Sequence, residues 1–149
     1  MVIHLYRSAE RLFSLLACCH LPNSHIYTYE PNPRIFEQLS ENLSPIQGQV
    51  RSVGVSCKLR RAEMKDTKGS RMAATTLKED GELELISLSQ IVKDVGGKID
   101  LLKMACEGAE WDISEDKAAF QTINTIRMEY HLDEFHTVES LNGVTDNFG

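Results

Sequence analysis

The sequence predicts an α/β domain with a mainly parallel sheet. Short β-runs alternate with helical patterns in the order β-α-β-α-β over the first fifty-odd residues. Strand ends run directly into helix starts, and only the middle of the chain breaks the rhythm. At 149 residues the chain is sized for one domain around one core, taken here as residues 1–149.

The first β-run, Val2 to Tyr6, leads into a helix that Ser8 caps. Leu12, Phe13, Leu16 and Cys19 form its expected apolar stripe, and Pro22 stops it. Arg7 and Arg11 before the apolar octet Leu12 to Cys19 mimic a secretion signal. Glu10 in the flank and the lack of an A-x-A-like cleavage site favour the helix instead. A second strand, Ile26 to Glu30, ends in an acid and meets Pro31-Asn32-Pro33. Proline cannot continue a central strand, so the chain turns there. Asn32 then reads as an N-cap with Pro33 at the first helical position, and Ile35, Phe36, Leu39 and Leu43 share the buried face. Gln49 to Ser56 alternates as a third strand around Val50, Val53 and Val55.

The polar segment Cys57 to Leu85 reads as an inserted hairpin or loop, with turn signals at Lys68-Gly69 and Asp80-Gly81. Its basic cluster, Lys58, Arg60, Arg61 and Lys65, reads as a solvated turn. Glu82 to Leu88 alternates again. Ser87 and Gln90 match a capping box, Ile86 and Ile91 a hydrophobic staple, and Gly96-Gly97 ends that helix. Ile99 to Met104 is the best buried strand, expected to be covered on both faces. Trp111 and Ile113 open a short helix, and Ile126, Met128 and Tyr130 alternate as a last strand. The expected core takes in Ile3, Leu5, Ile26, Val53, Leu101, Leu102 and Met128.

Composition narrows the partners. The net charge of −6 disfavours nucleic acid, which normally meets a basic stripe. No apolar run approaches the length of a membrane span, so no membrane partner is expected. Four cysteines without a C-x-x-C pair suggest neither zinc nor a disulfide framework. Cys18-Cys19-His20 with His25 is a weak metal pattern, better read as core or helix end. Reduced thiols suit the cytoplasm.

Three strand ends carry polar groups: Glu30, the loop at Glu107, and Glu129 with His131. In a parallel sheet all three open onto one edge, where α/β proteins bind ligands. A carboxylate at Glu30 can accept both hydrogens of a ribose diol.

The segment YEPNPRIFEQLSENL resembles the E-P-N-P-x-x-F-x-x-L-x-x-N segment of FkbM-type methyltransferases. IDLLKMACEGAEWDI resembles their I-D-L-L-K-I-D-x-E-G-A-E segment, and IRMEYH the strand ending in E-x-H. ISLSQIV sits where that family has T-L-D-x-L, and the likeness covers roughly residues 2 to 136. The resemblance implies a Rossmann-like, mainly parallel sheet of the class I methyltransferase type. It also implies S-adenosylmethionine as cofactor and methyl transfer to a hydroxyl oxygen of a small molecule or sugar. Glu30 would hold the ribose, next to Asn32, and Ser56 would lie near the adenine. Tyr6, Arg7 and Ser8 would line the methionine end, with Arg7 able to pair with its carboxylate. His131 or Glu129 would act as base, and Glu107 would orient the acceptor.

The family's D-x-G-A-N-x-G loop is altered here. Its acid is His4, its glycines are Tyr6 and Glu10, the acid of K-I-D is Ala105, and T-L-D reads Ser87-Leu88-Ser89. These changes predict weaker cofactor binding and admit a second reading, a non-catalytic binding module or degraded copy. The chain also starts on its first strand and ends before the last strands of a complete methyltransferase sheet, which reads as incompleteness at both ends. A nicotinamide-binding oxidoreductase is a third reading, but G-x-G-x-x-G is missing.

Overall fold

A computed structural model describes residues 2–5, 11–21, 23–44, 48–65, 74–106, 108–132 and 134–140, with backbone alone at 2–5, 11, 12, 15, 18, 48, 65, 74 and 75. Nine strands and five helices lie within these residues. The first sheet contains β1 (Val2–Leu5), β2 (Ile26–Tyr29), β3 (Gly48–Arg51), β8 (Leu101–Ala105) and β9 (Ile126–Glu129). Its strand order is β3-β2-β1-β8-β9, and every neighbouring pair is parallel. The order reverses between β1 and β8, where Leu5 is in register with Met104.

Not all of the sheet structure is parallel. Gln49 to Ser56 is not one strand: β3 ends at Arg51, and β4 (Gly54–Ser56) joins a second sheet. That sheet runs β4-β7-β5-β6, with β5 (Arg60–Lys65), β6 (Ala74–Leu77) and β7 (Leu83–Ser87). The β4–β7 pair is parallel, whereas β5 runs antiparallel to both β6 and β7. The expected single, mainly parallel sheet is thus corrected to a mixed α/β arrangement of two sheets. The inserted hairpin supplies the antiparallel strands, because a short return can join only antiparallel neighbours. Gly81 is required where the chain returns, since a Cβ there would run into the backbone of Ala62.

The elements form where local chemistry points. Asn32 caps α2 (Pro33–Leu43), its Oδ1 accepting the Arg34 N–H at 3.1 Å, with Pro33 in the first turn. Ser87 caps α3 (Leu88–Asp94) by accepting the Gln90 N–H at 3.0 Å. The Gln90 side chain turns away from Ser87 and donates to Asp94 at 2.7 Å, so only half of the capping box forms. Gly96 and Gly97 stop the helix at φ 98° and 89°, a region side chains avoid. The short helices α4 (Glu110–Ile113) and α5 (Lys117–Phe120) follow β8, and the second had no clear signal in the sequence.

Alternation along the strands separates two apolar layers. On one face Ile26 and Leu101 meet Phe13 and Ala17 of α1 (Arg11–His20). The expected α1 stripe is rotated: Leu16 is 53% exposed and Cys19 is exposed, while Ser14 and Ala17 are buried. This rotation sets the Ser14 hydroxyl 3.2 Å from that of Thr28, giving both buried groups a partner. On the other face Tyr29, Leu102, Met104 and Cys106 pack with Leu88, Ile91 and Val92 of α3, and with Ile113 and Phe120. Burial of β8 is accordingly uneven. Leu102 and Met104 are inaccessible, whereas Leu101, Lys103 and Ala105 are half-buried under α1's side. Ile26, Val53 and Leu102 join the core as expected, Leu101 and Met128 line it, and the side chains of Ile3 and Leu5 lie outside the described residues.

Candidate functional site

Parallel strands put their carboxyl ends on one edge, and the polar groups gather there. At the end of β2, Glu30 is inaccessible to solvent; its N–H donates to the Arg51 carbonyl at 3.1 Å. Its Oε1 accepts the Asn32 N–H at 2.7 Å, closing the turn that Pro31 and Pro33 impose. A carboxylate is therefore built into the strand end itself, as the sequence led us to expect.

A second centre lies at the ends of β8 and β9. Gly108 takes φ 101°, which turns the chain into α4 and aims its N–H at Glu110 Oε2, 2.7 Å away. Glu110 Oε1 accepts the His131 N–H at 2.6 Å and lies 2.8 Å from His131 Nδ1. Glu110 is fully buried while the His131 side chain keeps 35% of its surface. Two backbone N–H groups already donate to this carboxylate, one to each oxygen. With each oxygen already accepting an N–H, Nδ1 serves as the donor of the third contact. In the neutral ring that assignment puts the lone pair on Nε2. Trp111 backs the arrangement: its Nε1 donates to the His131 carbonyl at 2.8 Å, and its ring stacks on His136 at 4.5 Å and tilts against Tyr130 at 4.9 Å. Burial raises the Tyr130 phenol above its ordinary range, opposed by its hydrogen bond with Ser114.

Asp112 ties the second sheet to the same short helix. Its Oδ2 accepts the Ser56 hydroxyl at 2.8 Å and the Cys57 N–H at 2.9 Å. Its Oδ1 takes the Cys57 thiol at 3.3 Å and Arg60 Nη1 at 3.2 Å. Partial burial works against the Asp112 charge, but these donors outweigh it and hold the carboxyl below the usual aspartate range. Burial pushes the Cys57 thiol up, and the Asp112 carboxylate adds to that shift. Of the basic cluster, Lys58 is exposed as expected, while two arginines of β5 make specific contacts. Arg60 serves Asp112, and Arg61 Nε donates to the Gly81 carbonyl at 2.7 Å.

The expected site residues separate as follows. Glu30, Asn32, Glu129 and His131 all stand on the carboxyl edge of the first sheet, with Glu129 exposed at the end of β9. Ser56 is buried in the second sheet with its hydroxyl given to Asp112. Tyr6, Arg7, Ser8 and Glu107 lie outside the described residues. Sequence reasoning missed Glu110 and Asp112. Glu110 was in view as the second acid of E-G-A-E, but nothing in the pattern told that it is swallowed by the fold. Asp112 gives no local signal at all, because its partners are more than fifty residues away in sequence.

The ribose half of an S-adenosylmethionine site fits the residues present: a buried carboxylate stands at the end of β2. The Ser56 hydroxyl already donates to Asp112. Among the described residues no group of three or more His, Cys, Asp or Glu is placed to hold a metal, and no helix is long and apolar enough to cross a membrane.

A family model described as the methyltransferase FkbM domain matches residues 13–145. No curated protein and no solved structure matches the chain.

Proposed function

This chain belongs to the FkbM methyltransferase family, and from that premise we propose that it is an S-adenosylmethionine-dependent methyltransferase acting on a hydroxyl oxygen of a small molecule or sugar. The observation that carries the reading is the Glu110–His131 pair, held at the carboxyl end of β9 on the edge that also carries Glu30. We read the first sheet as the Rossmann-like, class I part of the fold. Neighbouring strands are about 4.8 Å apart, so the ends of β2 and β9 stand roughly 14 Å apart across the edge. That span holds a nucleoside and an acceptor side by side.

Each residue then has a role. Glu30 accepts the ribose hydroxyls, and Asn32 fixes the turn behind it. S-adenosylmethionine, when bound, supplies an electrophilic methyl group. His131 Nε2 takes the proton of the acceptor hydroxyl, and Glu110 stabilises the imidazolium that results. Glu129, exposed beside it, and Glu107 would orient the acceptor. Arg7, with Tyr6 and Ser8, would meet the methionine end. The cofactor and the acceptor are small molecules, with neither nucleic acid nor membrane as partner, and the compartment is the cytoplasm.

A non-catalytic binding module is the second reading. One position favours it: Ala105, in register with Glu129 at the end of β8, stands where the family has an acid.

Calorimetry with S-adenosylmethionine, followed by transfer of a labelled methyl group to a panel of alcohols and sugars, separates the two. Binding that weakens roughly thirty- to a thousand-fold in Glu30→Ala, with transfer abolished in His131→Gln, is the expected result. Cofactor binding without transfer to any acceptor selects the module. Undiminished binding by Glu30→Ala overturns the ribose assignment.

A further inference from the structure

The short helix α4 faces two ways. Glu110 and Trp111 reach the end of β9, through the His131 N–H, its Nδ1 and its carbonyl. Asp112 reaches the other sheet, accepting from Ser56, Cys57 and Arg60. Four residues long, α4 closes few hydrogen bonds of its own: Ile113 donates to the Ala109 carbonyl at 3.0 Å and Ser114 to that of Glu110 at 2.9 Å. So short a helix has little intrinsic stability, and side chains anchored at either side set its orientation. Glu110 can aim its carboxylate correctly only if the helix is held against rotation. Ile113 seats the helix in the core, and the hydrogen bonds on the side turned to the second sheet come from Asp112.

We propose that Asp112 is a positioning residue for His131: by anchoring α4 to β4 and β5 it holds Glu110 where it orients the imidazole. The inference rests on the reading of His131 as the base. It gives the inserted hairpin a use at the site. Anything that moves Arg60 is felt at His131 through one carboxylate and one turn of helix.

Hydrogen exchange at single amides tests this on the whole chain, with no acceptor needed. The Gly108 and His131 N–H groups both donate to Glu110, and the Leu102 N–H, donated to the Thr125 carbonyl, reports on the first sheet. Asp112→Asn keeps the shape and removes the charge. The expected result is that exchange at Gly108 and His131 accelerates roughly tenfold while Leu102 keeps its protection. Equal acceleration at all three means that Asp112 supports the fold generally, and overturns the proposal. Unchanged exchange at Gly108 and His131 overturns it too. Should Asp112→Asn fail to fold, Arg60→Gln removes one donor, leaves Ser56 and Cys57 in place, and is read in the same way.

Glu110→Gln serves as the internal reference. If it leaves the His131 amide unchanged, the reading of the Glu110–His131 pair fails with the inference. If Glu110→Gln accelerates exchange and Asp112→Asn does not, only the role of Asp112 falls. Where methyl transfer is measurable, Asp112→Asn is expected to lower kcat with KM unmoved, the signature of a displaced base rather than a lost binding contact.

Discussion

Glu110 Oε1 holds His131 twice, taking its backbone N–H at 2.6 Å and facing its Nδ1 at 2.8 Å. Both contacts come from a carboxylate with no solvent access. Removing one partner of a buried pair strands the other, so Glu110→Gln is expected to lose about 3 kcal/mol of stability by urea unfolding. A loss below about 1 kcal/mol would mean that the amide replaces every contact and the charge is not needed for folding.

Gly108 is the hinge of that arrangement. Its φ of 101° is open to glycine but strained for any L side chain, although space for a Cβ exists. Gly108→Ala should therefore destabilise by about 1 to 2 kcal/mol through backbone strain alone. Exchange at residue 108 should quicken, because the strained turn can no longer aim its N–H at Glu110. A variant as stable as the parent would show that the loop has a second conformation available.

Acid should weaken the fold through Asp112. Its folded-state pKa lies below the ordinary aspartate value of 3.8. A depressed carboxyl contributes stability above the unfolded-state value, and that contribution fades as pH falls through the folded one. Stability should thus fall below about pH 4, and the fall should be shallower in Asp112→Asn. Parallel curves for the two proteins between pH 5 and pH 2 would remove Asp112 from the acid response.

The altered glycine loop gives a gain-of-function prediction. The sequence has Tyr6 and Glu10 where the family pattern has glycines, a bulky ring and a negative charge in place of two residues without side chains. The combined variant His4→Asp, Tyr6→Gly, Glu10→Gly and Ala105→Asp is expected to bind S-adenosylmethionine at least about tenfold more tightly by calorimetry. Equal affinity would mean that the chain binds through a rebuilt loop.

What could be read in advance followed from local chemistry. The Asn32 cap, the Pro33 start and the span of α2 were all visible, because proline and a capping amide act within a turn. The helix start at Ser87 and the hairpin between Cys57 and Leu85 were visible for the same reason. What escaped depends on contacts distant in sequence. Nothing in Gln49 to Ser56 says that β3 and β4 belong to different sheets, since alternation is the same in either. The rotation of α1 follows from Thr28, a polar residue on another element that asked for Ser14 above it. The site divides in the same way: Glu30 was legible as an acid at a strand end. Glu110 and Asp112 became recognisable only once a four-residue helix was seen to join two sheets.

The central place of β1 has a consequence during synthesis. Its partners are β2, which leaves the ribosome soon after it, and β8, whose first matched residue is Leu101. At about 5 to 20 residues per second, roughly 4 to 15 seconds separate the two pairings. Throughout that interval one edge of β1 has no strand of its own chain to pair with, and an open edge is a template for another chain. The yield of this protein is therefore expected to depend on how quickly translation delivers Leu101 to Ala105. Slowing synthesis between β3 and β8 should send more of it into aggregates, with the native protein that does form unchanged.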